Sequence, residues 1–163
     1  MDRKVSLMLV RQGEGRDAQL GVVNMRVLAS AAETGGAFSL VEFTGGPGAW
    51  TVPHVHDRTD ESFFVLDGHF SFNVDGADLQ VGPSEFVLVR RGLPHVMTAG
   101  EGGGRFLTLW CPGGNEEMFF ELAALGADAL RDPEARVAVS HKYDSRPVAS
   151  TQAATSRSGS SGA

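Results

Sequence analysis

The sequence predicts an all-β protein, an antiparallel jelly roll or barrel with short helices near its C-terminal end. Short apolar segments follow one another from about residue 22 to residue 111 and are separated by Gly, Pro and Asp turn residues. Glycine supplies 21 of the 163 residues, as expected when many strands are joined by tight turns. Helical spacing of apolar residues begins only after Pro112.

The expected strands follow from the alternation of apolar and polar residues and from the turns between them. Asp67-Gly68 predicts a β-hairpin between two short strands, and Asp75-Gly76 predicts the next turn. The glycine-rich residues 100–104 are expected to form a mobile loop before the last long strand. The predicted strands cover residues 22–28, 38–44, 62–66, 70–74, 79–81, 86–89, 95–99 and 105–111.

The chain divides into four predicted regions. They are an N-terminal arm (1–19), a jelly-roll domain (20–112), a helical extension (113–148) and a disordered tail (149–163). The tail is mostly Ala, Ser, Thr and Gly, which cannot bury apolar area. Asn115 is placed to cap the first helix of the extension, and Asp132-Pro133 to start a second helix that ends near Lys142.

Charge and composition exclude several classes of partner. The net charge is −6 and no lysine or arginine cluster stands out, so a nucleic-acid partner is not expected. No apolar run reaches 18 residues and the N-terminal apolar stretch is too short for a signal peptide, so we expect a cytoplasmic protein without a membrane span. The single cysteine, Cys111, cannot form an internal disulfide. A small-molecule partner is therefore expected.

Three histidines and a glutamate form a candidate metal site. His54 and His56 are two residues apart, so on a strand their imidazoles point to the same face. Glu61 follows a polar bend that could return its carboxylate to the same ion, and His95 comes just after a Gly/Pro turn. Neutral imidazoles with one carboxylate suit a divalent first-row metal. Four such ligands would leave coordination positions open.

The spacing around these residues resembles the two sequence motifs of the cupin superfamily. Residues 48–68 match the first motif, Gly-x5-His-x-His-x4-Glu-x6-Gly, position by position. Residues 84–99 resemble the second motif with three departures, none at a ligand position: Ser84 replaces the usual Gly, Arg90 the usual Pro and Ala99 the usual Asn. Residues 112–120 resemble the C-terminal extension of small bacterial monocupins described as quercetin-dioxygenase-like.

This resemblance implies a double-stranded β-helix with the metal inside. It implies that His54, His56, Glu61 and His95 hold one divalent transition metal ion, which could be Fe, Mn, Ni, Co, Cu or Zn. It also implies a quercetinase-like dioxygenase, an oxidoreductase that acts on an enolic or phenolic aromatic such as a flavonol or a polyketide, with O2 as a candidate second substrate. Glu61 is then both a ligand and the candidate catalytic base.

Two other classes of function remain open. A redox-neutral cupin isomerase, cyclase or dehydratase of secondary metabolism needs the same ligands, and oxygen consumption separates it from a dioxygenase. A non-enzymatic ligand-binding or sensor cupin would bind a small molecule without turnover.

Strand parity predicts an apolar substrate pocket around the metal. Trp50 and Val52 share the parity of His54, Phe63 and Val65 that of Glu61, and Met97 that of His95. The remaining predicted lining residues are Phe86, Leu88 and Trp110. Exposed sheet edges and an apolar outer face predict a homodimer, the face being formed by Phe38, Leu40, and Phe119 or Phe120.

Overall fold

The computed structural model describes residues 7–49, 51–126 and 132–148. Within these ranges antiparallel pairing joins nine strands into a jelly roll. The strands are β1 (Arg16–Leu20), β2 (Val23–Ala29), β3 (Ser39–Gly45), β4 (His54–Val55), β5 (Asp60–Val74), β6 (Ala77–Val81), β7 (Phe86–Val89), β8 (His95–Cys111) and β9 (Arg146–Pro147). The helices are α1 (Ala31–Thr34), α2 (Glu116–Ala124), α3 (Pro133–Ser140) and a 3-10 turn (His141–Tyr143). The predicted fold class, with its short C-terminal helices, is confirmed.

Two long strands, β5 and β8, pair with each other along most of their length. The hairpin predicted at Asp67-Gly68 is therefore wrong, because both halves of β5 pair with β8 instead of with each other. The register shifts on either side of Gly68, whose φ of 82° is one that L side chains rarely adopt. Asp67-Gly68 is thus a bulge inside one strand.

The loop predicted at residues 100–104 is also wrong, because this stretch lies inside β8. Gly104 pairs with Gly68, and Ala99 pairs with Phe70, so residues 100–103 form the irregular part of β8 opposite His69. Glycine is needed at position 104, where an added Cβ would lie 2.5 Å from the Phe70 ring and 2.7 Å from the Asp67 carbonyl oxygen. The glycine-rich sequence reflects this close approach of two strands.

The predicted turn at Asp75-Gly76 is present and joins β5 to β6. Both residues have positive φ, 49° and 85°, which is the backbone of a tight hairpin turn. Ser84 also has a positive φ of 67°. This conformation explains physically why glycine is usual at that position of the second motif.

The core lies between the two faces of the roll and is rich in aromatic residues. Phe43 stacks on Phe106 at a ring-centroid distance of 5.4 Å, and Phe70 meets Phe106 edge to face at 5.2 Å. The fully or nearly fully buried core residues include Met25, Val41, Phe63, Val65, Phe70, Phe72, Val89 and Trp110. Aromatic contacts of this kind dominate core energetics.

The predicted N-terminal arm and C-terminal extension both contact the roll. The boundary predicted at residue 19 divides β1, which pairs with β2. Helix α2 packs against β1 through a bidentate ion pair of Arg16 with Glu117, and the Arg16 guanidinium lies 3.9 Å from the centre of the Phe120 ring. Strand β9 pairs with β4 and so joins the extension to the sheet.

Asn115 stands at the N-cap position of α2 but makes no side-chain capping hydrogen bond. Its amide contacts His56 instead, so the predicted capping role is wrong. The second predicted helix is confirmed, with the Asp132 side chain accepting a hydrogen bond from the Glu134 amide and Pro133 in the first turn. The predicted disordered tail, 149–163, lies outside the described residues. None of the described helices is long and apolar enough to cross a membrane.

Gly104→Ala should destabilise the fold by about 1–3 kcal/mol, because the new methyl group must displace the Phe70 ring or the Asp67 backbone. Gly102→Ala is the matched control, since a Cβ there meets no atom within 4 Å. Urea denaturation of both variants would measure the difference. Equal midpoints would show that the close approach at Gly104 does not constrain the fold.

Candidate metal centre

The four predicted ligands come from three places in the roll. His54 begins β4 and pairs with His95, the first residue of β8. His56 follows β4 directly. Glu61 lies near the start of β5, opposite Val89 of β7 on one side and Trp110 of β8 on the other. The inward face of the roll therefore gathers all four side chains.

The ligand atoms of His54, His56, Glu61 and His95 all lie within 4.8 Å of one another. Glu61 Oε2 is 2.9 Å from Nε2 of both His56 and His95, and 3.7 Å from Nε2 of His54. Ligands about 2.1 Å from one ion, at right angles, stand roughly 3 Å apart. The group therefore has the dimensions of a small-cation site.

Each imidazole is oriented by a hydrogen bond from its other ring nitrogen. Nδ1 of His54 donates to the carbonyl oxygen of Val52 at 2.7 Å, and Nδ1 of His95 to that of Leu93 at 3.0 Å. Nδ1 of His56 donates to the carbonyl oxygen of Asp144 at 2.5 Å. A carbonyl can only accept, so the proton sits on Nδ1 and the Nε2 lone pair of a neutral ring points at the group.

This donor set fits a divalent metal ion. Three Nε2 lone pairs and one carboxylate oxygen converge at a buried point, and in neutral rings all four atoms are acceptors. Acceptors at this distance repel unless a proton or a cation lies between them. Imidazole and carboxylate ligands suit the first-row divalent ions and do not select among them.

The electrostatics of the group favour an ionised glutamate. Burial alone would raise the pKa of Glu61, but the three neighbouring histidines, which attract the carboxylate when they carry a proton on Nε2, hold that pKa well below its usual range. Burial is the main influence on His54 and lowers its pKa. Burial also opposes charging of His56, but its hydrogen bond to Glu61 helps raise the pKa of this ring. A proton on His56 would therefore compete with a metal ion.

A cavity of about 540 Å³ opens above the group, within the range usual for small-molecule sites. His54, His56 and Glu61 face it, and the rest of its wall is mainly apolar. The C-terminal helices close one side with Met118, Phe119 and Leu122 of α2 and Arg136, Val137 and Ser140 of α3. The wall from the roll includes Leu20, Val23, Phe43, Thr51, Val52, Phe63, Phe70, Met97, Ala99, Phe106, Thr108 and Trp110.

Four of the eight predicted pocket residues line this cavity: Val52, Phe63, Met97 and Trp110. Their contact with a substrate stays a prediction. Val65 faces inward but is fully buried in the core and is not part of the wall. Trp50 lies outside the described residues.

The prediction that Phe86 and Leu88 line the pocket is wrong. Phe86 is 61% exposed and Leu88 46% exposed. Strand β7 pairs with β5 so that Val89 lies opposite the inward Glu61 and Val87 opposite Phe63. Directly paired residues share a face, so Phe86 and Leu88 point outward. Residues 86–89 are all apolar, so the sequence offered no alternation that would separate inward from outward side chains.

Several residues of the cavity were not predicted. Phe43 and Phe106 could have been found from strand parity, whereas Phe119 and Arg136 reach the cavity only through helix packing. Within the described chain, Thr108 Oγ1 and Trp110 Nε1 are buried without a hydrogen-bond partner. Both residues lie on the face of β8 that pairs with Glu61 and Phe63.

Comparisons with known proteins agree with this fold. Residues 41–110 match the family model described as the cupin domain. Quercetin 2,3-dioxygenase from Bacillus subtilis (strain 168) is 33% identical over 87 residues, which cover 53% of this chain and 26% of that enzyme. This chain therefore spans only about a quarter of that relative's length.

Solved structures also resemble this fold. The polyketide cyclase RemF from Streptomyces resistomycificus superposes with a TM-score of 0.57 at 25% identity, over 65% of this chain and 80% of the cyclase. KdgF from Halomonas sp. superposes with a TM-score of 0.62 at 18% identity, over 69% of this chain and 99% of that protein. The second likeness concerns the fold alone. Residues 41–110 thus match the cupin domain, and the chain resembles quercetinase-like proteins over part of its length.

Proposed function

We propose that this protein is a metal-dependent oxidoreductase, a quercetinase-like dioxygenase that acts on an enolic or phenolic aromatic such as a flavonol or a polyketide. The observation that carries the proposal is the meeting of three oriented imidazoles and a buried carboxylate beside an apolar, aromatic cavity, which His54, His56 and Glu61 face. A flat apolar substrate would replace water against these walls and bring an oxygen atom to the polar floor.

The residues of the chain have distinct roles in this proposal. His54, His56, His95 and Glu61 would hold the ion. A divalent cation, when bound, supplies Lewis acidity that favours the anionic form of an enol or phenol. The lowered pKa of Glu61 favours its carboxylate form, and Glu61 faces the cavity, so we assign it acceptance of the substrate hydroxyl proton.

The aromatic walls would orient the substrate and exclude water. Phe63 and Trp110 lie on paired strands on the same face as Glu61, and Phe119 of α2 lies 5.8 Å from the Trp110 ring. Such rings stack on a flat substrate and hold it in one plane. Dioxygen as the second substrate is proposed from the similarity to quercetin 2,3-dioxygenase.

A redox-neutral cyclase is the second candidate, favoured by the similarity to the polyketide cyclase RemF. It would use the same ligands and the same proton acceptor without consuming oxygen. An oxygen electrode separates the two candidates, with the protein loaded in turn with Fe, Mn, Ni, Co, Cu or Zn and supplied with quercetin. Oxygen uptake matched by substrate loss supports the dioxygenase. Turnover of an aromatic polyketide without oxygen uptake supports the cyclase, and saturable binding without any product supports a binding protein.

The homodimer and the cytoplasmic location expected from the sequence stay predictions. Analytical ultracentrifugation of the full chain would test the first, and localisation of a tagged protein the second.

His95→Ala and His56→Ala should each lower the affinity for a divalent ion by at least roughly tenfold, because each removes one of four converging donors. Elemental analysis after dialysis against limiting metal would measure the loss. His69→Ala is the matched control, since His69 is exposed and outside the group. Full occupancy in both ligand variants would contradict the proposed site.

Glu61→Gln should keep much of the metal, because three imidazoles remain, but it removes the group that accepts the proton. Turnover of an enolic substrate per bound metal ion should fall about a hundredfold or more. Steady-state rates normalised to metal content would measure this. An unchanged normalised rate would mean that Glu61 is a ligand only.

Metal affinity should fall as the pH drops through the raised pKa of His56. Below that pKa the ring carries an extra proton that the ion must displace, and above it the ring is neutral and no proton is released. The lowered pKa values of His54 and Glu61 keep both groups ready for metal in this window. Competition titrations against a coloured chelator at a series of pH values should therefore give a slope near one proton per ion. A flat profile would contradict the assignment.

A further inference from the structure

Asp144 links the C-terminal segment, which comprises residues 113–126 and 132–148, to the candidate metal centre. It does so through both its backbone and its side chain. Its carbonyl oxygen accepts the hydrogen bond of His56 Nδ1 at 2.5 Å. Its carboxylate accepts from the backbone N–H groups of Asp57 at 3.1 Å and Arg58 at 3.0 Å, and from the Thr59 hydroxyl at 2.8 Å. One residue thus holds both the imidazole and the loop that leads from His56 to Glu61.

This arrangement differs from that of the other two imidazoles. His54 and His95 are each oriented by the carbonyl two residues earlier, within their own local backbone. The acceptor of His56 lies 88 residues further along the chain, outside the cupin domain of residues 41–110. The residues that match the cupin domain model therefore do not include this acceptor for His56.

The backbone at Asp144 is shaped for this contact. Its φ of 51° and ψ of 35° are left-handed, directly after the 3-10 turn His141–Tyr143. Asp and Asn adopt this conformation more readily than most residues with a Cβ, and three hydrogen bonds to the carboxylate fix the side chain. The carbonyl is thereby aimed at His56.

Neighbouring contacts hold the same segment in place. Val55 pairs with Arg146, whose guanidinium contacts the Asp57 carboxylate at 3.1 Å. The buried Asn115 amide lies 3.2 Å from His56 Nδ1. The C-terminal segment thus encloses His56 from the side opposite Glu61.

We infer that Asp144 is a positioning residue for the metal centre, and that the C-terminal segment is a working part of that centre. The inference rests on the proposed metal binding. Residues that orient a metal-bound histidine typically contribute a factor of 10–100 to metal affinity, and we expect a loss of that size when the carboxylate of Asp144 is removed.

Two substitutions separate the carboxylate from the backbone conformation. Asp144→Gly removes the carboxylate and keeps the left-handed backbone without strain, whereas Asp144→Ala also strains the backbone. With Co²⁺ as the probe, both variants should bind about tenfold to a hundredfold more weakly than the unchanged chain, with an altered ligand-field spectrum. Unchanged affinity in Asp144→Gly would overturn the role of the carboxylate, whether or not Asp144→Ala is impaired.

Glu101→Gln is the control, because it removes an exposed carboxylate on the irregular part of β8. Thermal unfolding without metal would show that the variants fold. Nitrogen NMR of the imidazoles in metal-free protein supplies a second readout, in which the Nδ1–H signal of His56 should change in both variants while those of His54 and His95 stay. An unchanged His56 signal would overturn the inference.

The two readouts also separate this inference from the proposed function. If the unchanged chain does not bind Co²⁺ or any other divalent ion, the proposed function fails, and the imidazole spectra still decide whether Asp144 positions His56. If the chain binds Co²⁺ and the variants bind it equally well, the proposed function stands and the positioning role fails.

Discussion

The pairing of β5 with β8 is the constraint on which the site depends. His95 pairs with Val74 at one end of this ribbon, and Glu61 pairs with Trp110 near the other end, thirteen residues away along β5. A flat ribbon would hold these positions roughly 40 Å apart. Yet His95 Nε2 and Glu61 Oε2 are 2.9 Å apart. The ribbon must therefore curl back on itself, and the bulge and close approach at Gly68 and Gly104 lie at its middle.

The curled ribbon buries the Glu61 carboxylate, which a bound cation would stabilise. A carboxylate buried beside three imidazoles would be costly to keep ionised without a positive partner. Backbone carbonyls hold the Nδ1 protons away from the centre, so the Nε2 lone pairs of neutral rings point toward that carboxylate. In the absence of metal, protons can occupy the centre, as the raised pKa of His56 indicates. Proton and metal thus compete for the same imidazole lone pairs.

The C-terminal segment adds features that the residues matching the cupin domain model do not supply. Helices α2 and α3 close one side of the cavity, and Asp144 contacts His56. All of these residues lie beyond residue 110, where the match to the cupin domain model ends. Changes in this segment would alter the shape of the cavity and the orientation of a ligand together. A substitution in this segment would therefore affect both the position of a metal ligand and the space available to a substrate.

The sequence alone determined the local features. Turn residues and apolar alternation predicted most strands, and motif spacing named His54, His56, Glu61 and His95, because ligands at fixed spacing on strands leave a direct trace in the sequence. Tertiary structure decided what depends on distant pairing. Asp67-Gly68 has the composition of a hairpin, but pairing of both flanks with β8 makes it a bulge. Phe86 and Leu88 sit in an unbroken apolar run, so only the register with β5 could turn them outward. The link from Asp144 to His56 joins positions 88 residues apart through a backbone carbonyl, and every residue type carries such a carbonyl.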